Sequence, residues 1–272
     1  MHSTASDGSL TPTALVERAA TLGVQTLALT DHDTVAGLAE AKVAAQALGI
    51  GFIAGVEFSC VWNGMTLHVV GLNVDLEHPV LEKAVDTQQS NRLMRARAIA
   101  DKLERLKLGE VWNSVSSDLG DKVPARPDFA RYLVERGYVD SPQQAFERYL
   151  GAGKVGDVKQ YWPELPEILD WIKQGDGVAV LAHPARYKMT TAKLRRLLVE
   201  FKADGGMALE VALPNIDSGR LGLMSELCQR HDLHASCGSD FHGPGSWQEI
   251  GRFPPLPSSV RPVWELWPSF SL

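Results

Sequence analysis

Residues 24–33 read Val-Gln-Thr-Leu-Ala-Leu-Thr-Asp-His-Asp, an apolar run that ends in a group of titratable side chains. A short apolar run bounded by polar residues is typical of a buried strand. In α/β folds, residues that directly follow a buried strand lie at the carboxyl end of the sheet, where active sites are found. This stretch therefore predicts an α/β fold and a candidate site residue, His32, flanked by Asp31 and Asp33.

On both sides of this strand the sequence alternates between helix and strand patterns. Thr11 and Pro12 are residue types favoured at a helix start, and they precede an apolar stripe that predicts a helix ending near residue 22. Asn63-Gly64 between two apolar runs predicts a hairpin. Further helices are predicted over residues 35–48, 164–173, 191–202 and 219–231, and further strands over 50–58, 67–72, 177–182, 208–212 and 234–237. Strands that alternate with helices indicate βα units and a parallel sheet.

Residues 79–158 interrupt this alternation. A long helical pattern rich in Arg and Ala runs to about residue 108, and two short helices follow near residues 129–135 and 142–150. No convincing strand pattern occurs in this stretch. We therefore expect one domain formed by residues 1–78 and 159–272, with a helical insertion over residues 79–158 that contributes to the substrate cleft.

The composition is that of an ordinary globular protein, with 272 residues, 44% hydrophobic and 22% charged. The net charge of −6 argues against duplex DNA as a main partner. No run approaches the roughly 18 apolar residues of a membrane span, and residues 1–8 lack the apolar core of a secretory signal. Three widely spaced cysteines predict reduced thiols and a cytoplasmic location.

Nearly every predicted strand delivers a histidine or a carboxylate to the same rim. Together with two residues near the start of the chain, these are His2, Asp7, His32, Glu57, His68, His183, Asp240 and His242. Imidazole and carboxylate donors without thiolate suit Zn²⁺, Mn²⁺ or Fe²⁺. Eight donors exceed the needs of one ion, so we expect two or three divalent ions that act together on a phosphoryl group.

At these residues the sequence resembles the PHP family, named for polymerase and histidinol phosphatase. The matching motifs occur in the family's order: His2-x4-Asp7-Gly8, Thr30-Asp31-His32-Asp33, Gly55-Val56-Glu57, Leu67-His68-Val69-Val70-Gly71, Ala182-His183-Pro184 and Gly238-Ser239-Asp240-Phe241-His242. Within the family the chain looks closest to the branch of 3′,5′-nucleoside bisphosphate phosphatases that includes ribonuclease AM. The segments that resemble this branch are Arg126-Pro127-Asp128-Phe129-Ala130-Arg131, Arg148-Tyr149-Leu150, Gly153-Lys154, His183-Pro184-Ala185-Arg186-Tyr187 and His242-Gly243-Pro244-Gly245.

The resemblance implies a distorted (β/α)7 barrel, the PHP fold, with a helical insertion and a trinuclear metal site. Mn²⁺ is the metal usual in this branch, with Zn²⁺, Fe²⁺ and Mg²⁺ as alternatives. The implied ligand sets are His2, Glu57 and Asp240 for one ion, Glu57, His68 and His183 for a second, and Asp7, His32 and His242 for a third. The implied activity removes the 3′-phosphate from 3′,5′-bisphosphonucleosides such as pAp and trims short single-stranded RNA from its 5′ end. Asp240 or His242 would assist proton transfer.

A substrate with two phosphates needs cations besides the metal ions. Arginine suits phosphate because its planar guanidinium donates two hydrogen bonds at once. The positions that resemble the branch in this respect are Arg186, Arg126, Arg131 and Lys154. The branch usually has His where Asp128 stands, Tyr where Asp157 stands and Gly where Ala185 stands, so two carboxylates lie near the expected anion pocket.

The chain also departs from the family at its start, which leaves alternatives open. The family opens with Asp-Leu-His-x-His, of which His2 supplies only the last residue, so we expect the first strand of the barrel to be missing from this chain. The alternatives are another PHP phosphatase, such as a histidinol phosphatase, and a degenerate PHP domain that serves as a binding or structural module. Asp31 and Asp33 could either orient a ligand imidazole or cap the following helix.

Overall fold

The structure is a computed structural model that describes residues 1–119, 122–245 and 248–267. Its strands are β1 (Thr26–Leu29), β2 (Gly51–Trp62), β3 (Met65–Leu72), β4 (Val178–Leu181), β5 (Ala208–Ala212) and β6 (His234–Cys237). Its α-helices are α1 (Pro12–Thr21), α2 (Leu38–Leu48), α3 (Pro79–Arg105), α4 (Val111–Leu119), α5 (Arg126–Glu135), α6 (Pro142–Ala145), α7 (Leu165–Gln174), α8 (Thr191–Ala203) and α9 (Ser218–Arg230). A π-helical turn (Phe146–Leu150) and two 3₁₀ turns (Pro184–Arg186 and Val263–Leu266) complete the elements of these ranges.

The strands of the described ranges form one curled sheet in the order β1 to β6, so the fold is α/β as predicted. The pairs β1–β2, β4–β5 and β5–β6 are parallel, in agreement with the sequence pattern. The pair β3–β4 is antiparallel, with Val69 opposite Leu181. β3 is reversed because only Asn63-Gly64 link it to β2, and a parallel crossover needs a dozen residues or more.

Local sequence signals explain where the helices that flank the sheet begin and end. Thr11 caps α1, because its hydroxyl oxygen accepts a hydrogen bond from the Ala14 main-chain nitrogen at 3.2 Å. Pro12 occupies the first turn, where its missing N–H costs nothing. Gly49 ends α2 in the left-handed conformation that glycine favours. In the described part of the chain, no helix combines the length and apolar character that crossing a bilayer requires.

The chain divides into two compact units, each with its own apolar core. The first unit consists of Met1–Trp62, Leu67–Val85 and Pro163–Leu272, and the second of Asn63–Thr66 and Asp86–Trp162. In the first unit, Val56 and Phe58 of β2 point away from the site and pack in a large buried cluster. In the second unit, Ile99, Phe129 and Leu133 are fully buried in a separate helical core.

Candidate metal centre

The candidate site lies at the carboxyl ends of the parallel strands of the first unit. His32 comes three residues after β1, His183 two residues after β4 and Asp240 three residues after β6. Glu57 lies inside β2, and His68 lies inside β3. The ladder between β1 and β2 extends past the end of β1, because the Glu57 nitrogen donates to the Asp31 carbonyl and the Asp33 nitrogen donates to the Glu57 carbonyl. This extension fixes His32 beside Glu57.

Glu57 is the centre of the cluster, and its side chain is almost fully buried. Its Oε1 lies 2.9 Å from His68 Nδ1 and 3.1 Å from His183 Nε2. Its Oε2 lies 3.1 Å from His2 Nε2, which in turn lies 3.2 Å from Asp240 Oδ1. One carboxylate therefore contacts three imidazoles that come from distant parts of the chain.

Three further donors, His32, His242 and Asp7, extend the cluster on the side of His2. The His2 ring stacks on the rings of His32 and His242, with centroid distances of 4.3 Å and 4.1 Å. His242 Nε2 lies 3.3 Å from Asp7 Oδ1. His242 Nδ1 lies 2.9 Å from the Asp240 carbonyl oxygen, which can only accept a hydrogen bond, so Nδ1 carries the proton. The lone pair on Nε2 is therefore available to a metal ion. The structure thus brings all eight residues predicted as ligands into one cluster.

The donor atoms are close enough to share metal ions. Three groups have ligand atoms within 4.8 Å of one another: His2, Asp7, His32 and His242; His32, Glu57 and His68; and His2, Glu57 and Asp240. In the described ranges, the buried Nδ1 atoms of His2 and His32 have no hydrogen-bond partner. Buried imidazole nitrogens without hydrogen-bond partners, close to carboxylate oxygens, suit divalent metal ions that accept both nitrogen and oxygen ligands.

The electrostatics of the cluster favour cations. Burial alone would lower the pKa of His2, but its hydrogen bonds with Asp240 and Glu57 raise that pKa to about 10. Burial would raise the pKa of Glu57, but the surrounding imidazoles, His32 foremost, hold it well below its usual range. The pKa of Asp240 is likewise lowered, against the effect of burial, by its contact with His2. Both carboxylates are therefore anionic at neutral pH and available to a cation.

Asp31 and Asp33 hold loops in place and do not cap the following helix. Asp31 is 1% exposed, and it accepts hydrogen bonds from the Ser3 nitrogen at 2.7 Å, the Ser3 hydroxyl at 2.7 Å and the Ser6 hydroxyl at 2.6 Å. Asp33 accepts from the nitrogen and the hydroxyl of Ser59 at 2.7 and 2.9 Å. The N-cap of α2 is Gly37, which has no side-chain cap. Both carboxylates thus contact main-chain nitrogens and serine hydroxyls, and the orientation of a ligand imidazole by either of them stays a prediction.

The loop that carries His2 and Asp7 requires a glycine at position 8. A β-carbon at Gly8 would lie 2.2 Å from the His2 carbonyl oxygen, well inside contact distance. The Gly8 nitrogen donates to the Ser3 carbonyl at 2.9 Å. The chain therefore turns back on itself between the two ligands, which brings Asp7 to the same cluster as His2.

Other positioning contacts had little or no signal in the sequence. The Tyr187 hydroxyl accepts a hydrogen bond from the main-chain nitrogen of His68 at 2.9 Å. Gln248 Nε2 donates to the main-chain oxygen of Asp240 at 2.7 Å and to its carboxylate at 3.0 Å. The Asp240 backbone has a φ of 49°, in the left-handed region that residues with a β-carbon rarely adopt.

The predicted substrate-binding cations fall into two groups. Arg186 belongs to the first unit, and its Nη1 contacts Asp240 Oδ2, so its guanidinium lies at the edge of the cluster. Arg126, Arg131 and Lys154 belong to the second unit. There, Arg131 pairs with Asp128 at 3.1 Å and the Arg126 guanidinium lies over the Phe146 ring.

The two carboxylates that depart from the expected pattern have local roles in the second unit. Asp128 Oδ2 accepts from the Ala125 nitrogen at 2.9 Å, at the start of α5. Asp157 Oδ2 accepts from the Gly153 nitrogen at 2.7 Å and pairs with Lys159 at 2.9 Å. These partners partly neutralise the charge that the carboxylates add to this unit.

A cavity of about 250 Å³ lies beside the cluster, on the face of the sheet that carries Glu57. Its walls are mainly apolar, with Ile53, Val70 and Val180 among them. Its polar lining includes Glu57 and Glu210. Removal from water raises the pKa of Glu210 to about 7.

A curled α/β sheet with this donor set at its carboxyl rim defines a metal-dependent hydrolase. More narrowly, the chain belongs to the PHP family, since the PHP domain model matches residues 1–174. The resemblance drawn from the motifs is therefore confirmed.

The relatives agree with this membership. The chain is 44% identical to a 5′-3′ exoribonuclease of Haemophilus influenzae over 97% of this chain and 96% of the relative. It is 39% identical to the 3′,5′-nucleoside bisphosphate phosphatase of Chromobacterium violaceum over 97% of this chain and 93% of the relative.

Solved structures agree on the fold. An amidohydrolase from Chromobacterium violaceum, with bound sulfate and no metal, has a TM-score of 0.89 and 39% identity, covering 97% of this chain and 93% of the neighbour. A metal-dependent phosphoesterase from Bifidobacterium adolescentis has a TM-score of 0.80 and 26% identity, covering 97% of this chain and 92% of the neighbour. The relatives are named as a phosphatase, exoribonucleases and a phosphoesterase, all of which are hydrolases, and the donor cluster supports divalent metal ions in this chain.

Proposed function

We propose that this chain is a phosphatase that removes the 3′-phosphate from 3′,5′-bisphosphonucleosides such as pAp, and that it trims short 5′-phosphorylated RNA from the 5′ end at the same site. The observation that carries the proposal is the cluster of eight donors with the Arg186 guanidinium at its edge. Relatives at 44% and 39% identity, named for these two activities, support it.

In this proposal three divalent ions occupy the cluster, with Mn²⁺ as the expected metal. His2, Glu57 and Asp240 hold one ion, Glu57 with His68 and His183 a second, and Asp7, His32 and His242 a third. The close approach of the donor atoms supports these sets. When bound, such ions lower the pKa of water and neutralise charge on phosphoryl oxygens.

The protein's own groups bind and orient the phosphate. Arg186 exchanges part of its contact with Asp240 for the phosphoryl group, and its guanidinium donates parallel hydrogen bonds to two of the phosphoryl oxygens. The His242 side chain is 32% exposed, more than the side chains of His2, His68 and His183, which also contact carboxylates in the cluster. We assign proton transfer to Asp240 or His242, and the partial exposure of their side chains, 15% and 32%, supports this assignment.

The remaining parts of the proposal concern the second phosphate and the barrel. We propose that Arg126, Arg131 and Lys154, from the insertion over residues 79–158, bind the second phosphate. We also propose that the sheet belongs to a (β/α)7 barrel. The curled sheet and the cavity that it encloses support the barrel.

Two measurements test the function: phosphate release from pAp, 3′-AMP, 5′-AMP and histidinol phosphate, and release of mononucleotides from a short 5′-phosphorylated RNA. We expect release from pAp and mononucleotides from the RNA, both abolished by a chelator and restored by Mn²⁺. Preference for histidinol phosphate would replace the proposal with another phosphatase of the family. No release from any substrate, with less than about one ion bound per chain, would favour a binding or structural module.

A further inference from the structure

Glu210 makes a contact with the cluster that none of the proposed ligand sets includes. Glu210 lies in the middle of β5, and its side chain lines the cavity together with Glu57 and His183. Its Oε2 accepts a hydrogen bond from the main-chain nitrogen of His183 at 2.5 Å. Glu210 is absent from the three donor groups found among the described residues. It therefore touches the backbone of a ligand and contributes no donor atom to those groups.

The backbone that Glu210 holds is in an unusual conformation. His183 has φ 34° and ψ 48°, the left-handed region that a residue with a β-carbon rarely adopts. A residue that precedes proline is further restricted, and Pro184 follows directly. Such a conformation persists only when surrounding contacts enforce it. The His183 nitrogen is held by Glu210, and the His183 carbonyl accepts from the Arg186 nitrogen at 2.9 Å.

This turn connects two functional side chains. It directs His183 Nε2 to within 3.1 Å of Glu57 Oε1, and it continues into the 3₁₀ turn that carries Arg186. If the turn relaxed to an ordinary conformation, the imidazole and the guanidinium would both move. The hydrogen bond to Glu210 therefore helps to fix the positions of both the His183 imidazole and the Arg186 guanidinium.

A second observation points to the same carboxylate. A β-carbon at Gly238 would lie 2.3 Å from Glu210 Oε1. Gly238 is not among the glycines with positive φ, so its backbone conformation does not require glycine. An added β-carbon would instead displace the Glu210 carboxylate from the space that it occupies. The end of β6 is thus shaped to admit Glu210 in the position where it reaches His183.

We propose that Glu210 is a positioning residue, which holds the left-handed turn at His183 and thereby sets the affinity of the centre for metal. This inference rests on the proposed metal-dependent function. It predicts that the acceptor oxygen at position 210 matters more than the charge. Side chains that position metal ligands typically change metal affinity about 10- to 100-fold when they are removed.

The experiment compares the full chain with four variants: Glu210→Ala, Glu210→Gln, Gly238→Ala and Gly222→Ala. Gly222 lies in α9, has no atom within 4 Å of an added β-carbon, and serves as the matched control for Gly238. Each metal-free protein is checked for folding by circular dichroism. Mn²⁺ affinity is then measured by calorimetry, and the absorption spectrum of the Co²⁺-loaded protein reports the ligand geometry.

We expect Glu210→Ala and Gly238→Ala to weaken Mn²⁺ binding at one or more sites by about 10- to 100-fold and to alter the Co²⁺ spectrum. Glu210→Gln keeps an acceptor oxygen and should restore most of the affinity, which a general loss of stability would not explain. If Glu210→Ala fails to fold, Gly238→Ala decides the outcome. Unaltered metal binding by these variants overturns the inference. Failure of the unaltered chain to bind metal overturns the proposed function instead.

Discussion

Replacement of Asp31 should weaken the fold and the metal centre together. The Asp31 carboxylate is buried and accepts three short hydrogen bonds from Ser3 and Ser6. A hydrogen bond to a charged group contributes about 1.5–3 kcal/mol. Three such bonds on one carboxylate are not additive, so we expect Asp31→Ala to lower the free energy of unfolding by about 3–5 kcal/mol. Asp31→Asn keeps one acceptor oxygen and should lower the free energy of unfolding by about 1–2 kcal/mol, because hydrogen bonds to a neutral amide are weaker than those to a carboxylate.

Urea denaturation of the metal-free protein measures these changes without any contribution from bound ions. Asp101→Asn is the matched control, because Asp101 is exposed on α3 and its loss should change the free energy of unfolding by less than about 0.5 kcal/mol. A separate titration should show weaker Mn²⁺ binding by Asp31→Ala, since the loop that it holds carries His2 and Asp7. The assignment of this network would be refuted if Asp31→Ala lowered the free energy of unfolding by less than about 1 kcal/mol while the dependence of that free energy on urea concentration stayed unchanged.

Three further outcomes are expected. Arg186→Ala should raise KM for pAp about 10- to 150-fold, the equivalent of about 1.5–3 kcal/mol, with unchanged metal content; unaltered KM and kcat would remove Arg186 from the site. Because contacts with Asp240 and Glu57 raise the pKa of His2 to about 10, metal binding below that pH displaces a proton, and Mn²⁺ affinity should rise between about pH 6 and 9. Calorimetry in buffers of different ionisation enthalpy measures the released proton, and heats that do not depend on the buffer would contradict the shift. Gly8→Ala should lower both stability and metal content, because the added β-carbon meets the main chain of His2, while Gly222→Ala should leave both unchanged.

Much of this arrangement could be predicted because its signals are local. The apolar run before Asp31 ends at the strand boundary, and β1 ends at Leu29. The Asn63-Gly64 pair lies at the predicted reversal between β2 and β3. Since parallel strands end at the same edge of the sheet, residues that directly follow different strands lie close together in space. For this reason the eight donors could be grouped before any distance was known, although their roles as ligands stay a prediction.

What could not be predicted depends on contacts between distant residues. The Val61 nitrogen of β2 donates to the main-chain carbonyl of Pro163, a partner that no local pattern indicates. Glu210 could be placed at a strand, but its partner is a main-chain N–H 27 residues away. Gln248 had no signal at all, because a single glutamine in a loop resembles any solvated residue. The left-handed backbones of His183 and Asp240 are likewise imposed by such contacts and are not encoded locally.

The position of Glu57 inside a strand determines which changes of chain length the centre tolerates. Side chains of a strand alternate between its two faces, so an insertion or deletion of one residue between Gly51 and Glu57 would turn the carboxylate into the apolar core. Val56 or Phe58 would then face the three imidazoles that now surround Glu57. His32, His183 and Asp240 follow strands, and loops absorb added residues at little cost. The count of residues in β2 is therefore a stricter requirement of this centre than the length of any loop that brings a ligand to it.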